Sequence, residues 1–252
     1  MTNPDFVLSA AEFDLVWGEL GLGKIPYPLE VPSLGATTRE RAELTAEAFR
    51  SLARRGLATD RDLDLDPKLA HLLRLLVDHD TSVDVIGHRD QPIRALAAVA
   101  PRSGALAQLV GDELRLTEIR PTALALSAVG VLPPGEAGLQ RAISVPAEAL
   151  SKALEEDDDD PFGGDVDEDV ALVKAGLSPQ DAATVLELAN NRRAGGQFGV
   201  SRGTRRSTTL VTWFDTHQGR YLMVSQGAWL SITPADNKKI EHRLADVVAA
   251  VA

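Results

Sequence analysis

The chain has no cysteine among its 252 residues. That excludes a disulfide framework, a thiolate metal site and a cysteine nucleophile, and it fits a reducing compartment. Aromatic residues are scarce at 4%, with two methionines, so a core has to be built mostly from Leu, Val and Ala. No run is long and apolar enough to cross a membrane as a helix. The opening "MTNPDFVLSA" lacks the basic-then-apolar order of a secretory leader. A cytoplasmic protein without membrane insertion is therefore expected. Basic charge is in deficit, and the net charge is -11. Such a field opposes nucleic acid as a general partner and favours solubility. What is present is ordinary for a globular protein: 44% hydrophobic and 25% charged residues, in a chain long enough for one large core or two small ones.

The pattern along the chain is of helices followed by short strands, twice. "AAEFDLVWGELGLG" spaces Phe13, Val16, Trp17 and Leu20 as one helix face and stops at Gly21 to Gly23. "KIPYPLEVPSLGA" carries three prolines and should be extended. Thr37 and Glu40 have capping-box spacing at the start of a helix that runs to about Arg55 and Gly56. Asp66-Pro67 opens another, with Leu69, Leu72, Leu73 and Leu76 as its stripe. Four strands in a meander follow, near 82–119, punctuated by Asp90-Gln91-Pro92, Pro101 to Gly104 and Gly111-Asp112. "TALALSAVGVL" reads as a helix ending near Pro133.

The second half has the same order. "VPAEALSKALEE" reads as a helix, and Ser178-Pro179 caps another with Val185, Leu186 and Ala189 on one side. Between them, residues 155–169 hold ten acids and predict a flexible loop. Four more strands lie near 197–233. Thr233-Pro234 is expected to cap a last helix striped by Ile240, Leu244, Val247, Val248 and Val251. "SGALAQLVGDELRLTEIRP" and "QGRYLMVSQGAWLSITP" share one layout of turn, strand, two-residue turn, strand, proline and helix. The layout is also common enough to arise by chance. If it is a true repeat, one domain of two pseudo-repeats, about 1–135 and 136–252, follows, with both strand groups in one shared sheet.

Three features invite other functions. "GVSRG" matches the G-x-S-x-G pattern at Ser201, with Asp215 and His217 downstream. That motif requires a helix after the serine, whereas "GTRRSTTLVTWF" is a turn and a strand, and Asp215 and His217 are too close together for one to orient the other toward Ser201. A serine hydrolase using Ser201 and His217 stays as an alternative. Residues 192–206 carry five arginines, Arg192, Arg193, Arg202, Arg205 and Arg206, and no acid. A nucleic-acid-binding regulatory module is the second alternative. Aromatic platforms are missing apart from Phe198, so an ion-pair partner, the acidic stretch or another protein, is favoured. "GLGK" lacks the spacing of a phosphate loop. His71, His79, His88, His217 and His242 are scattered, and the acidic stretch lacks the spacing of a calcium loop. No metal and no cofactor are expected.

"EFDLVWGELGLGKIPYPLEVPSLGATTRER", "GQFGVSR", "WFDTHQGRYLMVS" and "AWLSITPAD", in this order, resemble segments of the EspG family of ESX (type VII) secretion-associated proteins of actinobacteria. The acidic stretch 155–169 departs from that pattern. The resemblance implies a non-enzymatic cytosolic chaperone that binds the helical tip of PPE proteins in PE–PPE heterodimers, keeps them soluble and brings them to the secretion system. It implies a pseudo-twofold mixed α/β (α+β) fold, with a central mostly antiparallel sheet flanked by N- and C-terminal helical bundles, monomeric or weakly homodimeric when free. Carried onto this chain, the partner contacts fall on Arg89, Asp90 and Gln91 in a first-half loop. They also fall on Leu186 and Asn190 of a second-half helix, and on Gln197, Phe198 and Val200 of the next strand, with Phe198 as the surface anchor.

Overall fold

The computed structural model describes residues 3–59, 64–147, 172–174 and 176–251. The expected acidic loop 155–169, and residues 148–156 of the expected helix before it, lie outside the described residues.

Among the described residues, eleven strands form one sheet, and every strand pairing in it is antiparallel. The first meander is β2 (Thr81–Arg89), β3 (Gln91–Val99), β4 (Gly104–Val110) and β5 (Glu113–Ile119). The second group is β7 (Ala194–Arg202), β9 (Leu210–Thr216), β10 (Gly219–Gln226) and β11 (Trp229–Pro234), with β8 (Arg205–Arg206) folded back on β7. The two groups meet at β2 and β7, whose register sets Val85 opposite Phe198. From that pair the sheet grows outward as β3, β4, β5 on one side and β9, β10, β11 on the other. Two four-residue strands close the edges, β1 (Phe6–Ser9) beside β5 and β6 (Ile143–Pro146) beside β11. Both halves use the expected two-residue turn, opened by Gly111 (φ 57°) and Gly227 (φ 60°). The positive φ there suits glycine.

Neither edge strand was expected. Four residues are too few to show a period, and the last two of β6, Val145 and Pro146, fall at the start of an expected helix. The edge beside β5 is pinned by Asp5, which accepts the Glu118 N–H at 2.7 Å and pairs with Lys68 at 3.1 Å. The Glu118 amide, helped by Lys68, holds the Asp5 carboxyl below its ordinary pKa against the opposing effect of burial.

Helices cover both faces unequally. On one face, α4 (Leu124–Val129) and the last helix, α6 (Asn237–Ala250), pack over the centre on Val83, Val85, Ala95, Ala97, Phe198, Val200, Val211 and Trp213. On the other, α1 (Ala10–Glu19), α2 (Thr38–Arg54) and α3 (Pro67–Leu75) cover the first group through Leu96, Ala98, Ala107, Leu109, Leu114 and Leu116. There α5 (Pro179–Asn190) covers the second group through Phe214, Tyr221, Leu230 and Ile232. The expected mixed α/β fold, a central antiparallel sheet between helical layers, is the fold observed.

Local signals decide most helix starts. Thr37 Oγ1 accepts from Glu40 N at 3.1 Å, but the Glu40 carboxylate takes the Ala36 amide instead of returning to Thr37. A reciprocal capping box does form at Ser9 and Glu12. Asp66 and Ser178 cap α3 and α5 as expected. The last helix is capped by Asp236, not by Thr233-Pro234, because β11 continues to Pro234. In α5 the buried face is Ala182, Val185 and Leu188, and Ala189 is exposed. "TALALSAVGVL" gives a 3₁₀ turn at Pro121–Ala123 and then the short α4.

Candidate functional site

Between the two helical layers on that second face, the middle of the sheet is left partly open. One row of directly opposed residues crosses it: Leu114, Leu109, Arg94, Ile86, Gln197, Thr212, Met223, Ile232 and Ile143. Residues opposite one another across adjacent strands share a face. The outer four are buried, while Arg94, Ile86, Gln197, Thr212 and Met223 are half-buried. The result is a groove whose floor is the seam of the sheet and whose walls are the two helical layers.

The next row along the groove is Leu96, Asp84 and Gly199. Arg206 reaches back from β8 to hold Asp84 at 2.7 and 3.0 Å. A side chain at Gly199 would collide with this Arg206 guanidinium and with Asp84, so glycine is what lets the pair lie on the floor. The Asp84 hydrogen bond raises the Arg206 pKa, against an opposing desolvation effect. The row on the other side is Pro92, His88, Gly195 and Phe214.

At that end of the groove stands the β2–β3 hairpin. Its single linking residue, Asp90, has φ 55°, a conformation that Asp tolerates better than most residues. Arg89, Asp90 and Gln91 are all exposed. Arg89 Nη1 lies 3.8 Å from Asp215 Oδ2. Asp215 in turn holds the buried Arg220 at 2.6 and 2.8 Å. Arg220 also donates to Pro133 O at 2.9 Å and to Asn237 Oδ1, and it sits 5.0 Å from the centre of the Trp213 ring. One buried cation thus joins β9, β10, the segment after α4 and the start of the last helix, and the hairpin rests against its counter-ion. The hairpin also lines an open cavity of about 520 Å³ with Val131, Pro133 and Pro134.

The other expected contacts divide by depth. Gln197 is on the groove floor, Asn190 is exposed near the end of α5, and Leu186 is half-buried against that helix's core. Phe198 and Val200 face the opposite way and are 0% and 1% exposed beneath α4 and α6. The surface-anchor reading of Phe198 is corrected by strand alternation: with Gln197 facing the groove, Phe198 must face the core. The glycines around it serve other ends. Gly196 meets the β2 backbone and Trp213, and Gly195 and Gly199 lie under arginines.

The alternative chemistries do not assemble. Ser201 lies within β7, with Oγ 3.5 Å from Arg206 and no helix after it. His217 is exposed in the β9–β10 turn, beyond the Ala194–Asp215 pair at the far end of β7. The seven-residue step from Ala194 to Ser201 spans roughly 23 Å of strand. The arginine run is divided over the same length, with Arg192 and Arg193 before β7 and Arg202, Arg205 and Arg206 at its other end. Among the described residues, no group of three or more His, Asp or Glu is placed to hold a metal ion. No described helix is long and apolar enough to cross a membrane.

The fold and the groove define a single-sheet α/β scaffold that offers a broad, shallow trough on a sheet face. The chain belongs to the EspG family, whose model matches residues 9–246. No curated protein matches it in sequence. Among solved structures, 14 chains match. One is the Mycobacterium tuberculosis type VII secretion system chaperone EspG5, in complex with the PE25-PPE41 dimer. Its TM-score is 0.75 at 15% identity, over 98% of this chain and 96% of that one. At this identity the likeness is one of fold.

Proposed function

We propose that this chain is a cytosolic chaperone of a type VII (ESX) secretion system. Its client is a PE–PPE heterodimer, held by the helical tip of the PPE protein, kept soluble and delivered for secretion. The observation that carries the reading is the half-buried row across the β2–β7 seam, in a member of the EspG family. A groove whose half-open middle mixes apolar and polar side chains suits a helix tip: Ile86 and Met223 bury apolar surface while Gln197 and Thr212 satisfy polar groups. The EspG5 structure of the same fold, bound to a PE25-PPE41 dimer, supports the choice of client class.

On this reading Arg89, Asp90, Gln91, Asn190 and Gln197 touch the client and Leu186 borders it, while Phe198 and Val200 support the floor from behind. The protein acts by binding alone, not as an enzyme and not on nucleic acid or membranes. The separation of Ser201 from His217 and the division of the arginine run support this. Free, it is a monomer or weak homodimer. Its two pseudo-repeats, about 1–135 and 136–252, correspond to the two strand groups that run outward from the seam. Co-expression with the PE–PPE pairs of the same genome, followed by co-purification, tests the reading. Capture of a pair as a stoichiometric complex is expected. Failure of every pair to co-purify would remove it.

A further inference from the structure

Arg192, in the turn between α5 and β7, lays its guanidinium over Gly195. A β-carbon there would stand 2.6 Å from Nη2 and 2.8 Å from Nε. Gly195 is two residues from Gln197 on β7 and opposite His88, so its open side is the groove floor. Two arginines of the floor are already engaged: Arg206 holds Asp84, and Arg94 donates to Glu30 O. The nearby acids are committed as well, Asp215 to Arg220 and Glu187 to Gln140 and Gln218. The Arg192 side chain has no hydrogen-bond or ion-pair partner among the described residues, and it is exposed. A planar, uncommitted guanidinium lying on a glycine floor can take a carboxylate through two parallel hydrogen bonds. In a chain of net charge -11, a cation left unpaired in the groove marks the charge its occupant brings.

Resting on the client reading above, the geometry points to Arg192 as the residue that selects clients by an acidic side chain on the helical tip. The glycine beneath it is part of the device. Gly195 has no left-handed φ, so alanine is conformationally acceptable there, yet its β-carbon would push the guanidinium aside.

The test uses the full chain and whichever PE–PPE pair co-purifies with it, titrated at low and high salt. Arg192→Ala should weaken binding at least about tenfold at low salt, as expected for loss of a charged hydrogen-bonded pair. It should also flatten the salt dependence, and Arg192→Glu should lose more. Arg205→Glu makes the same charge change next to Arg206 on β8, where adjacent side chains alternate faces, and should stay within about twofold of the parent. Gly195→Ala should melt like the parent, bind like Arg192→Ala, and add nothing to it in the double variant. Equal affinities for parent and Arg192→Ala overturn the inference and leave the client reading standing. A parent that captures no pair removes the client reading itself. An Arg192→Glu variant that changes self-association but not client affinity assigns the arginine to a second copy of the chain, and also overturns the inference.

Discussion

Phe198→Ala separates a floor supported from behind from a floor with an exposed anchor. The side chain is fully buried between Val85 and Val211 of the neighbouring strands and beneath the helices of the closed face. Truncating a core Phe to Ala costs about 3–5 kcal/mol, from lost transfer energy and from the cavity left behind. In a domain of this size each kcal/mol moves the melting temperature by about 2–4 °C, so a fall of about 6–20 °C is expected. Phe198→Leu keeps most of the volume and should fall by less. Circular dichroism melts give the stability, and client titration well below both midpoints gives the affinity of the folded fraction. Because Gln197 alone of the two reaches the groove, affinity per folded molecule should stay within about threefold of the parent. A variant that melts within about 2 °C of the parent and loses its client would refute the burial argument and restore Phe198 as the anchor.

Two further outcomes follow from the buried polar groups and from the serine motif. Arg220→Met leaves Asp215, Asn237 and Pro133 O without their shared donor and should destabilise by about 3–5 kcal/mol in urea titration. Adding Asp215→Asn should recover part of that loss, and a double variant less stable than the single would sink this account. Ser201→Ala should leave melting within about 2 °C and client capture unchanged, since its hydroxyl makes one long contact. An esterase signal that vanishes in this variant would overturn the reading of β7 as a structural strand.

Much of the fold was legible because local signals sufficed. The first meander announced itself by short apolar runs between turn residues, and α3 and α5 by an Asp or Ser cap followed by proline. The two-residue turns at Gly111 and Gly227 lie where the shared layout put them. The edge strands were not legible, because pairing with β5 and β11 makes them strands, and that pairing is non-local. The groove was half legible. The hairpin at Arg89 to Gln91 is exposed and Gln197 is on the floor, so both lie where a partner could reach them. Phe198 was misjudged because an aromatic flanked by glycines invites a surface reading, and only the register with Val85 and Val211 settles which face it occupies. The Arg206–Asp84 pair spans 122 positions in the chain. No spacing rule reaches that far, so the arginine run could be counted but not divided into one committed and one uncommitted floor cation.

The seam also sets a schedule. Strand β2 is made with the first meander, whereas its second neighbour, β7, is synthesised only after roughly 80 further residues, about 4–16 s at ordinary ribosomal rates. During that interval the outer edge of β2 offers a row of unpaired amides and carbonyls from Thr81 to His88, the kind of edge that templates aggregation. Asp84 sits in the middle of that edge, an acid among Val83, Val85 and Ile86. A strand that docks there prematurely brings this acid no counter-ion. Only β7, with β8 folded back on it, delivers Arg206 to the same place. The acid in the floor of the groove thus guards the nascent edge until the strand that carries its counter-ion emerges.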